Sequence, residues 1–477
     1  MLFLSHNNGK GNNILEKYFR LKENNTTVKT EIIAGITTFV TMAYIIFVNP
    51  SILKMAGMNL EGALGDAAIP FNAFNDPVVG SVMAATCISA AIGTLIMGLY
   101  ANYPFAQAPG MGLNAFFAFS VVLGMSYTWQ QALAAVFISG LVFILITLTK
   151  IREMIIDSIP MSLKHAVSGG IGLFIALIGF KNAGIIIANP STLVGFGDLM
   201  APNTLLAIFG LFLTAILMSR NIKGSMLMGI FATTLVGIFT GVVAIPEGFS
   251  LVSAPPSISH TFMKMDFAGL LKIGEGATLA TAITSILTVI LSFTFVDMFD
   301  TIGTLVGTAS KANMMDKNGK LPRVNKALLA DAVATSAGAM LGTSTVTTYV
   351  ESAAGVLEGG RTGLTSVVTA ALFILALFFA PLVGLVPSEA TAPALIIVGV
   401  LMMSALKEID FNDFSDAFPA FLTIVMMPFS YSIANGIAAG MIAYPIIKIA
   451  TGKHKDVHPV VYILALLFIL RFATMAG

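Results

Sequence analysis

The sequence is poor in charged residues. Of its 477 residues only 10% are Asp, Glu, Lys or Arg, whereas soluble proteins carry about 25%. That is too few charges to cover the surface of a soluble protein of this length. Because 56% of the residues are hydrophobic and the mean hydropathy is +0.90, the composition predicts an integral membrane protein.

Other residue types and motifs that are scarce or missing exclude further classes of function. The single cysteine, Cys87, excludes an intramolecular disulfide and a cysteine-rich metal site. The five histidines are not spaced for metal binding, so we predict neither a metal nor a cofactor. The net charge of +1 does not provide the excess of positive charge that nucleic-acid binding needs. No nucleophile–base cluster and no Walker-type phosphate loop is visible, so we predict that the protein is not an enzyme and that any transport is secondary.

Long apolar segments fill most of the chain. A membrane-spanning helix needs about 20 residues, and hydropathy together with helix-breaking residues predicts fourteen such segments. No apolar stretch follows a charged start at the amino terminus, so we expect the first helix to remain as a span. A further apolar stretch, 459–476, contains Arg471, and whether it spans stays open. The fourteen ranges are 30–49, 79–100, 105–123, 129–149, 166–188, 203–219, 224–244, 277–306, 326–343, 348–360, 364–386, 390–406, 416–430 and 433–450.

Two of these segments are short and rich in Pro, Gly and small residues. They are 105–123, which includes Pro109-Gly110-Met111-Gly112, and 348–360, which includes Ser352-Ala353-Ala354-Gly355. We interpret both as broken helices that cross only half of the membrane. Gly98 lies nine residues before Gln107, and Gly342 lies nine residues before Glu351. This weak internal match favours a repeated unit.

The basic residues predict the orientation. With an internal amino terminus and fourteen spans, 20 of the 25 lysines and arginines fall on the cytoplasmic side and 4 outside, with Arg471 unassigned. Both termini are then cytoplasmic. Each half holds seven spans, an odd number, so the second half is inverted, as in inverted-repeat transporters. The predicted regions are a cytoplasmic segment 1–29, a first repeat 30–245, an external loop 246–276, a second repeat 277–451 and a tail with an apolar helix, 452–477.

Polar residues inside apolar segments are candidates for function because burying them is costly. Asp297 and Asp300 are three residues apart on one side of a helix. Glu351 lies in the second broken segment, and Gln107 and Asn114 lie in the first. Carboxyl and amide groups can match the donors and acceptors at the edge of a nucleobase. Asp300 and Glu351 are the strongest candidates for contact with a substrate.

A structural role competes with each of these interpretations. We expect Asp297 to cap or link helices rather than to contact a substrate. We expect Asp331 to make a structural contact. For Asn114 and Gln107, helix-end hydrogen bonding is as good an explanation as ligand binding. Phe299 could stack on a planar ligand, but packing is the ordinary role of each phenylalanine beside the polar candidates. These phenylalanines are Phe105, Phe116, Phe117, Phe119, Phe295 and Phe299.

Several stretches together resemble the AzgA-like purine permeases, within the nucleobase–cation symporter superfamily. The similarity runs from about residue 14 to residue 451. The stretches that carry it are Thr-Glu-Ile-Ile-Ala-Gly-Ile-Thr-Thr-Phe at 30–39, Met-Ala-Tyr-Ile-Ile-Phe-Val-Asn-Pro at 42–50, Ala-Pro-Gly-Met-Gly-Leu-Asn-Ala-Phe-Phe at 108–117, Phe-Val-Asp-Met-Phe-Asp-Thr-Ile-Gly-Thr at 295–304 and Thr-Thr-Tyr-Val-Glu-Ser-Ala-Ala-Gly at 347–355.

The resemblance implies an all-α membrane fold of fourteen helices in two inverted repeats of seven. Helices 1–4 and 8–11 would form a core domain (30–150 plus 277–386) that holds the substrate. Helices 5–7 and 12–14 would form a gate domain (164–245 plus 390–451) that makes a homodimer contact. Helices 3 and 10 would be broken by short extended stretches, and the core would slide against the gate as an elevator.

The resemblance also implies roles for particular residues. Asp300, Glu351 and Asn114 match the substrate residues of the family, and one of the two carboxylates takes part in proton coupling. We therefore predict a proton-coupled importer of purine nucleobases, with hypoxanthine and guanine ahead of adenine, in the inner or plasma membrane. The alternatives left open are a sodium-coupled nucleobase carrier, an anion carrier of the same fold, and a channel.

Overall fold

Helices dominate the structure, a computed structural model that describes residues 15–68, 76–149, 158–270, 279–311, 314–316 and 321–475. Its helices are α1 (Val28–Met42), α2 (Ile45–Lys54), α3 (Pro77–Ile96), α4 (Met111–Ala115), α5 (Trp129–Leu148), α6 (Met161–Asn182), α7 (Pro202–Ser219), α8 (Ser225–Phe239), α9 (Phe267–Leu270), α10 (Leu279–Lys311), α11 (Val324–Leu341), α12 (Ser352–Leu357), α13 (Gly363–Ala376), α14 (Pro381–Leu385), α15 (Ser388–Met402), α16 (Phe414–Phe429), α17 (Ile433–Ala450) and α18 (Pro459–Met475). Its strands are β1 (Gln107–Pro109), β2 (Ile186–Asn189), β3 (Leu193–Phe196) and β4 (Val346–Thr348).

The prediction of a multi-pass membrane protein is supported by the helices. Within the described residues, eight helical stretches are long and apolar enough to cross a membrane, and five more apolar helices are shorter. Part of every one of the fourteen predicted ranges is helical. The count of fourteen spans stays a prediction, because the shorter helices do not reach the length of a bilayer by themselves.

Several helix boundaries follow from local chemistry. Asp76 precedes α3, and its Oδ1 accepts hydrogen bonds from the amides of Val78 and Val79 at 2.8 and 3.1 Å. Thr128 and Gln131 form a reciprocal capping box at the start of α5. Such caps satisfy amides that have no partner inside the helix, which fixes where each helix begins.

Three predicted ranges differ from the observed helices. The first is divided into α1 and α2, which a turn at Ala43 and Tyr44 separates. Range 364–386 is interrupted between α13 and α14, where Pro381 has no amide hydrogen to continue the helical pattern. Range 166–188 overshoots, because α6 ends at Asn182 and the next apolar residues form the largely exposed hairpin β2–β3.

The helices pack in two groups. In one, α13 packs against α1 and α3, and α11 packs against α3 and α5. In the other, α6 packs against α15 and α16, and α16 packs against α17. The final helix, α18, lies against α17 and α10, and its Arg471 is buried with 2% of its surface exposed. Whether α18 spans the membrane stays open.

Candidate functional site

Two short strands meet in the interior and bring the two halves of the sequence together. β1 and β4 pair antiparallel, with Gln107 opposite Thr348 and Pro109 opposite Val346. All six strand residues are buried. The ladder continues on both sides, where the Gly110 amide donates to the Thr345 carbonyl at 2.9 Å and the Tyr349 amide donates to the Ala106 carbonyl at 3.0 Å. Each strand leads into a short helix, α4 or α12.

The long helix α10 places Asp300 beside this ladder. Asp300 interacts electrostatically with Glu351, and its carboxyl group lies beside the Thr347 side chain. Glu351 comes directly before α12, three residues after the end of β4. Asp300 and Glu351 are partly exposed as residues, unlike most polar residues around them. The two strongest sequence candidates therefore lie together.

Tyr44 completes this part of the site and was not predicted from the sequence. It lies in the turn between α1 and α2, is 1% exposed, and donates a hydrogen bond from its hydroxyl to Glu351 Oε1 at 2.7 Å. The Thr41 hydroxyl also reaches the Glu351 carbonyl, at 3.5 Å. Tyr44 lies within one of the stretches that carry the family resemblance, but a tyrosine in an apolar helix has no local signal that marks it as functional.

Asn114 is placed near the ladder but is held by the protein. It is fully buried in α4, its Nδ2 donates to the Pro109 carbonyl at 3.4 Å, and its Oδ1 accepts a hydrogen bond from Ser344. Both functions of the amide are thus occupied in this conformation. Tyr349 holds the same carbonyl of Pro109 with its hydroxyl, at 2.6 Å.

Gln107 faces a second group of polar side chains on the other side of β1. Its Nε2 donates to Asp331 Oδ1 at 3.0 Å and to Thr348 Oγ1 at 3.3 Å. Gln107 and Asp331 are fully buried, and Asp297 is 1% exposed. The structural contact predicted for Asp331 is thus present, and Gln107 takes part in it.

The phenylalanines beside these residues are packing residues where their side chains are described. Phe105, Phe116, Phe117 and Phe119 are each at most 1% exposed, and Phe116 meets Phe293 edge to face at 4.7 Å between ring centroids. The side chain of Phe299 lies outside the described part of the structure. Its predicted stacking on a ligand stays a prediction.

One buried acid has a purely structural arrangement. Glu31 in α1 is fully buried, and its carboxylate accepts from the amides of Arg361, Thr362 and Thr365 and from the Thr365 hydroxyl, at 2.6 to 3.3 Å. Four donors therefore compensate this carboxylate at the start of α13. Asp300 and Glu351 have fewer donors and more exposure, which leaves them capacity for a ligand.

Other features of the described residues do not compete with this site. Within that part of the chain, no group of three or more His, Cys, Asp and Glu side chains is arranged to hold a metal ion. A cavity of about 530 Å³ is lined by a different set of residues, and neither Asp300 nor Glu351 is among them. The lining residues are Asn24, Asn25, Tyr103, Met314, Pro322, Arg323 and Arg361.

Apolar helices that surround two adjacent carboxyl groups are typical of a membrane transport protein. A solved structure of the transmembrane domain of a cyanobacterial bicarbonate transporter, BicA, has the same overall fold with a TM-score of 0.57. That match covers 86% of this chain and 97% of the solved transmembrane domain at 16% sequence identity, and so it shows the fold alone.

Sequence comparison identifies the family. A profile of the Permease family, Xan_ur_permease, matches residues 29–439, and the chain belongs to this family. Adenine permease AdeP of Escherichia coli is 46% identical over 97% of this chain and 96% of its own. Guanine/hypoxanthine permease PbuG of Bacillus subtilis is 47% identical over 96% and 99%. Nucleobase transporter PlAzg2 of Paenibacillus larvae is 36% identical over 87% and 76%. The resemblance to purine permeases of the AzgA type is thereby confirmed.

Proposed function

We propose that this protein imports purine nucleobases, with hypoxanthine and guanine ahead of adenine, together with protons. The observation that carries the proposal is that Asp300 and Glu351, two partly exposed acidic residues, interact with each other beside the paired strands. The relatives support the substrate class, because their names specify adenine, guanine and hypoxanthine.

In this proposal the two carboxyl groups hydrogen-bond the edge of the purine. A protonated carboxyl donates one hydrogen bond and an ionised one only accepts, so the pair can match both donors and acceptors of a base. Tyr44 holds Glu351 in position through the hydroxyl contact at 2.7 Å. The amide of Asn114 and the Nε2 of Gln107 are occupied by protein partners in this conformation, whereas Gln107 Oε1 has no hydrogen-bond partner among the described residues. Their contact with the purine, like that of Phe299, stays a prediction.

Proton coupling has a physical reason in this site. Moving an unpaired carboxylate through the apolar interior of a membrane is costly. Binding a proton neutralises Asp300 or Glu351 before the site moves, so the proton and the purine travel together. Sodium coupling is the alternative for the same site, and the ion gradient that drives uptake distinguishes the two.

We further propose fourteen helices in two inverted repeats, a core that slides against a gate, and a homodimer in the inner membrane with both termini inside. The two packing groups support a division into core and gate, because α1, α3, α5, α11 and α13 pack among themselves, as do α6, α15, α16 and α17. The pairing of β1 with β4 supports two related broken helices that meet at the substrate site.

An anion carrier is the alternative function, because the bicarbonate transporter BicA has the same fold. Such a carrier is expected to offer positive charge to its substrate. Two acidic side chains at the centre of this site instead repel an anion. The site chemistry therefore favours a neutral purine over bicarbonate.

The test is uptake of radiolabelled hypoxanthine, guanine and adenine into proteoliposomes with an imposed inward proton gradient. We expect saturable uptake that the gradient drives and that Asp300→Asn and Glu351→Gln each abolish. Glu61→Gln is the matched control, because Glu61 is exposed and removal of its charge leaves the site intact. Uptake that follows a sodium gradient and ignores protons contradicts the coupling. Absence of purine uptake by folded protein contradicts the substrate.

A further inference from the structure

A second pair of carboxyl groups lies behind the proposed substrate site. Asp297 in α10 and Asp331 in α11 are 1% and 0% exposed, and their carboxyl groups lie next to each other and interact. Thr335, one turn after Asp331, donates to Asp297 Oδ2 at 3.1 Å. Neither carboxyl forms an ion pair with a Lys, Arg or His within the described ranges.

The donors around this pair leave one oxygen of each carboxyl unsatisfied by the protein. Asp331 Oδ1 accepts from Gln107 Nε2 at 3.0 Å, Thr301 Oγ1 at 2.9 Å and Thr348 Oγ1 at 3.1 Å. Asp331 Oδ2 and Asp297 Oδ1 have no donor among the described residues. Two buried carboxylates in contact, with no cation to compensate them, strongly disfavour double ionisation. One proton between them provides the donor that these oxygens lack.

A chain of hydroxyl groups connects this pair to Asp300. Asp300 lies beside the Thr347 side chain, and the Thr347 and Thr301 hydroxyl oxygens are 2.6 Å apart. Thr301 in turn donates to Asp331 Oδ1. Both threonines are at most 1% exposed. Because Thr301 donates towards Asp331, Thr347 is oriented to donate to Thr301, which leaves the Thr347 oxygen free to accept from a protonated Asp300.

The charged and titratable groups around the pair are few. On α10, Asp300 acts electrostatically on both Asp297 and Asp331. The strands supply Gln107 and Thr348, which do not titrate near neutral pH. Helix α3, which packs on α11, contains the buried Cys87, and α5, which also packs on α11, contains no titratable side chain. Residues 97–101 pack on α11 as well and contain Tyr100, whose ring lies under the ammonium of Lys326 from the start of α11. Helix α18, which packs on α10, carries Arg471. The groups that act electrostatically on the pair are carboxyl groups.

We propose that Asp297 and Asp331 are a second proton site, linked to the substrate site by the hydroxyls of Thr347 and Thr301. In the transfer step, Asp300 gives its proton to the Thr347 oxygen, Thr347 gives its proton to Thr301, and Thr301 gives its proton to Asp331 Oδ1. Each hydroxyl gains one proton and loses one. Asp300 ends ionised, and the pair ends with one proton more. This inference rests on the proposed proton-coupled transport for its role, but the shared proton itself does not.

The relay is tested with Thr301→Val in proteoliposomes. Two activities are compared: proton-gradient-driven accumulation of labelled hypoxanthine, and counterflow, in which labelled and unlabelled purine exchange without a gradient. We expect Thr301→Val to reduce accumulation to the level seen without a gradient while counterflow persists. Thr301→Ser keeps the hydroxyl and should restore accumulation.

A matched control is available on the same helix. Thr308 lies two turns after Thr301, is 1% exposed, and its hydroxyl has no hydrogen-bond partner among the described residues. Thr308→Val removes the same atom and should leave both activities intact. Accumulation that survives in Thr301→Val overturns the relay. Loss of counterflow together with accumulation also overturns it, because Thr301 is then needed for binding or folding.

The shared proton is tested without any transport. Infrared spectra of the purified protein near neutral pH should show the carbonyl band of a buried protonated carboxyl group. To remove the carboxyl groups of the substrate site from the spectrum, the comparison is made in an Asp300→Asn/Glu351→Gln background, which should retain the band. Adding Asp297→Asn or Asp331→Asn to that background should each remove it. A band that persists in both pair variants, or the absence of such a band in the unaltered protein, overturns the proposal. If the unaltered protein transports no purine, the proposed function is wrong. The infrared measurement still decides whether Asp297 and Asp331 share a proton.

Discussion

The segments 107–124 and 346–357 meet in one two-stranded ladder, but their polar residues have different environments. In the first, Gln107 and Asn114 are fully buried and bound to protein partners. In the second, Glu351 is partly exposed and lies beside Asp300. The first segment presents neutral amides to the interior of the protein, and the second presents a charged group to a site.

This difference follows from the cost of burial. A neutral amide can be buried when hydrogen bonds replace those it made with water, and the amides of Gln107 and Asn114 largely achieve this. A carboxylate without a cation is far more costly to enclose, so it is retained where function needs it. The first segment therefore acts as a frame, and the second carries the group that we propose to bind substrate and proton.

The largest expected effect comes from making an amide side chain of the first segment acidic. Gln107→Glu replaces a donor to Asp331 with a third carboxyl group in a fully buried cluster. We expect a loss of about 3 kcal/mol or more in stability, seen as a large fall in the melting temperature in detergent. Glu351→Gln should cost much less, because Glu351 is partly exposed. Equal losses would show that the two segments do not differ in this way.

Two variants that each remove one hydroxyl test the different roles of the two segments. One hydroxyl contacts Glu351 in the second segment, and the other contacts the Pro109 carbonyl in the first. Tyr44→Phe removes the bond to Glu351 Oε1. The apparent KM for purine should rise about tenfold, because hydrogen bonds to charged groups contribute about 1.5 kcal/mol or more. Tyr349→Phe removes a bond to the Pro109 carbonyl in the frame and should lower the melting temperature at an unchanged KM. An unchanged KM in Tyr44→Phe would remove Tyr44 from the site.

A partly exposed acid outside both segments, Asp413, should show the smallest effect. The hydrogen bond from Lys453, followed by those from Ser415, holds the pKa of Asp413 well below its usual range. A depressed pKa stabilises the fold above the unfolded value, about 3.9 for Asp, and this contribution is lost as the pH falls through the folded pKa. Asp413→Asn should thus melt slightly below the unaltered protein at neutral pH, and the gap should close in acid. A gap that widens in acid would contradict this sign.

Much of the candidate site was predictable because acidic residues stand out in apolar segments. Asp300 and Glu351 were singled out on that ground, and the structure places them together. Tyr44 was missed because its hydroxyl matters only through Glu351, 307 residues away in the sequence. Asp331 was expected to make a structural contact, but its pairing with Asp297 was not expected. The helix of Asp331 gives no local sign of which partner it meets.

The sequence by itself determined that this is a multi-pass membrane protein of the permease family, because hydropathy and family motifs are properties of short stretches. It also determined which residues are costly to bury. Only the tertiary structure decided which of these polar side chains have hydrogen-bond partners within the protein. Pairing of Gln107 with Thr348 brings together residues 241 positions apart, and this ladder seals Gln107 and Asn114 while leaving Asp300 and Glu351 accessible. Such pairings depend on packing across the whole chain, which no local pattern encodes.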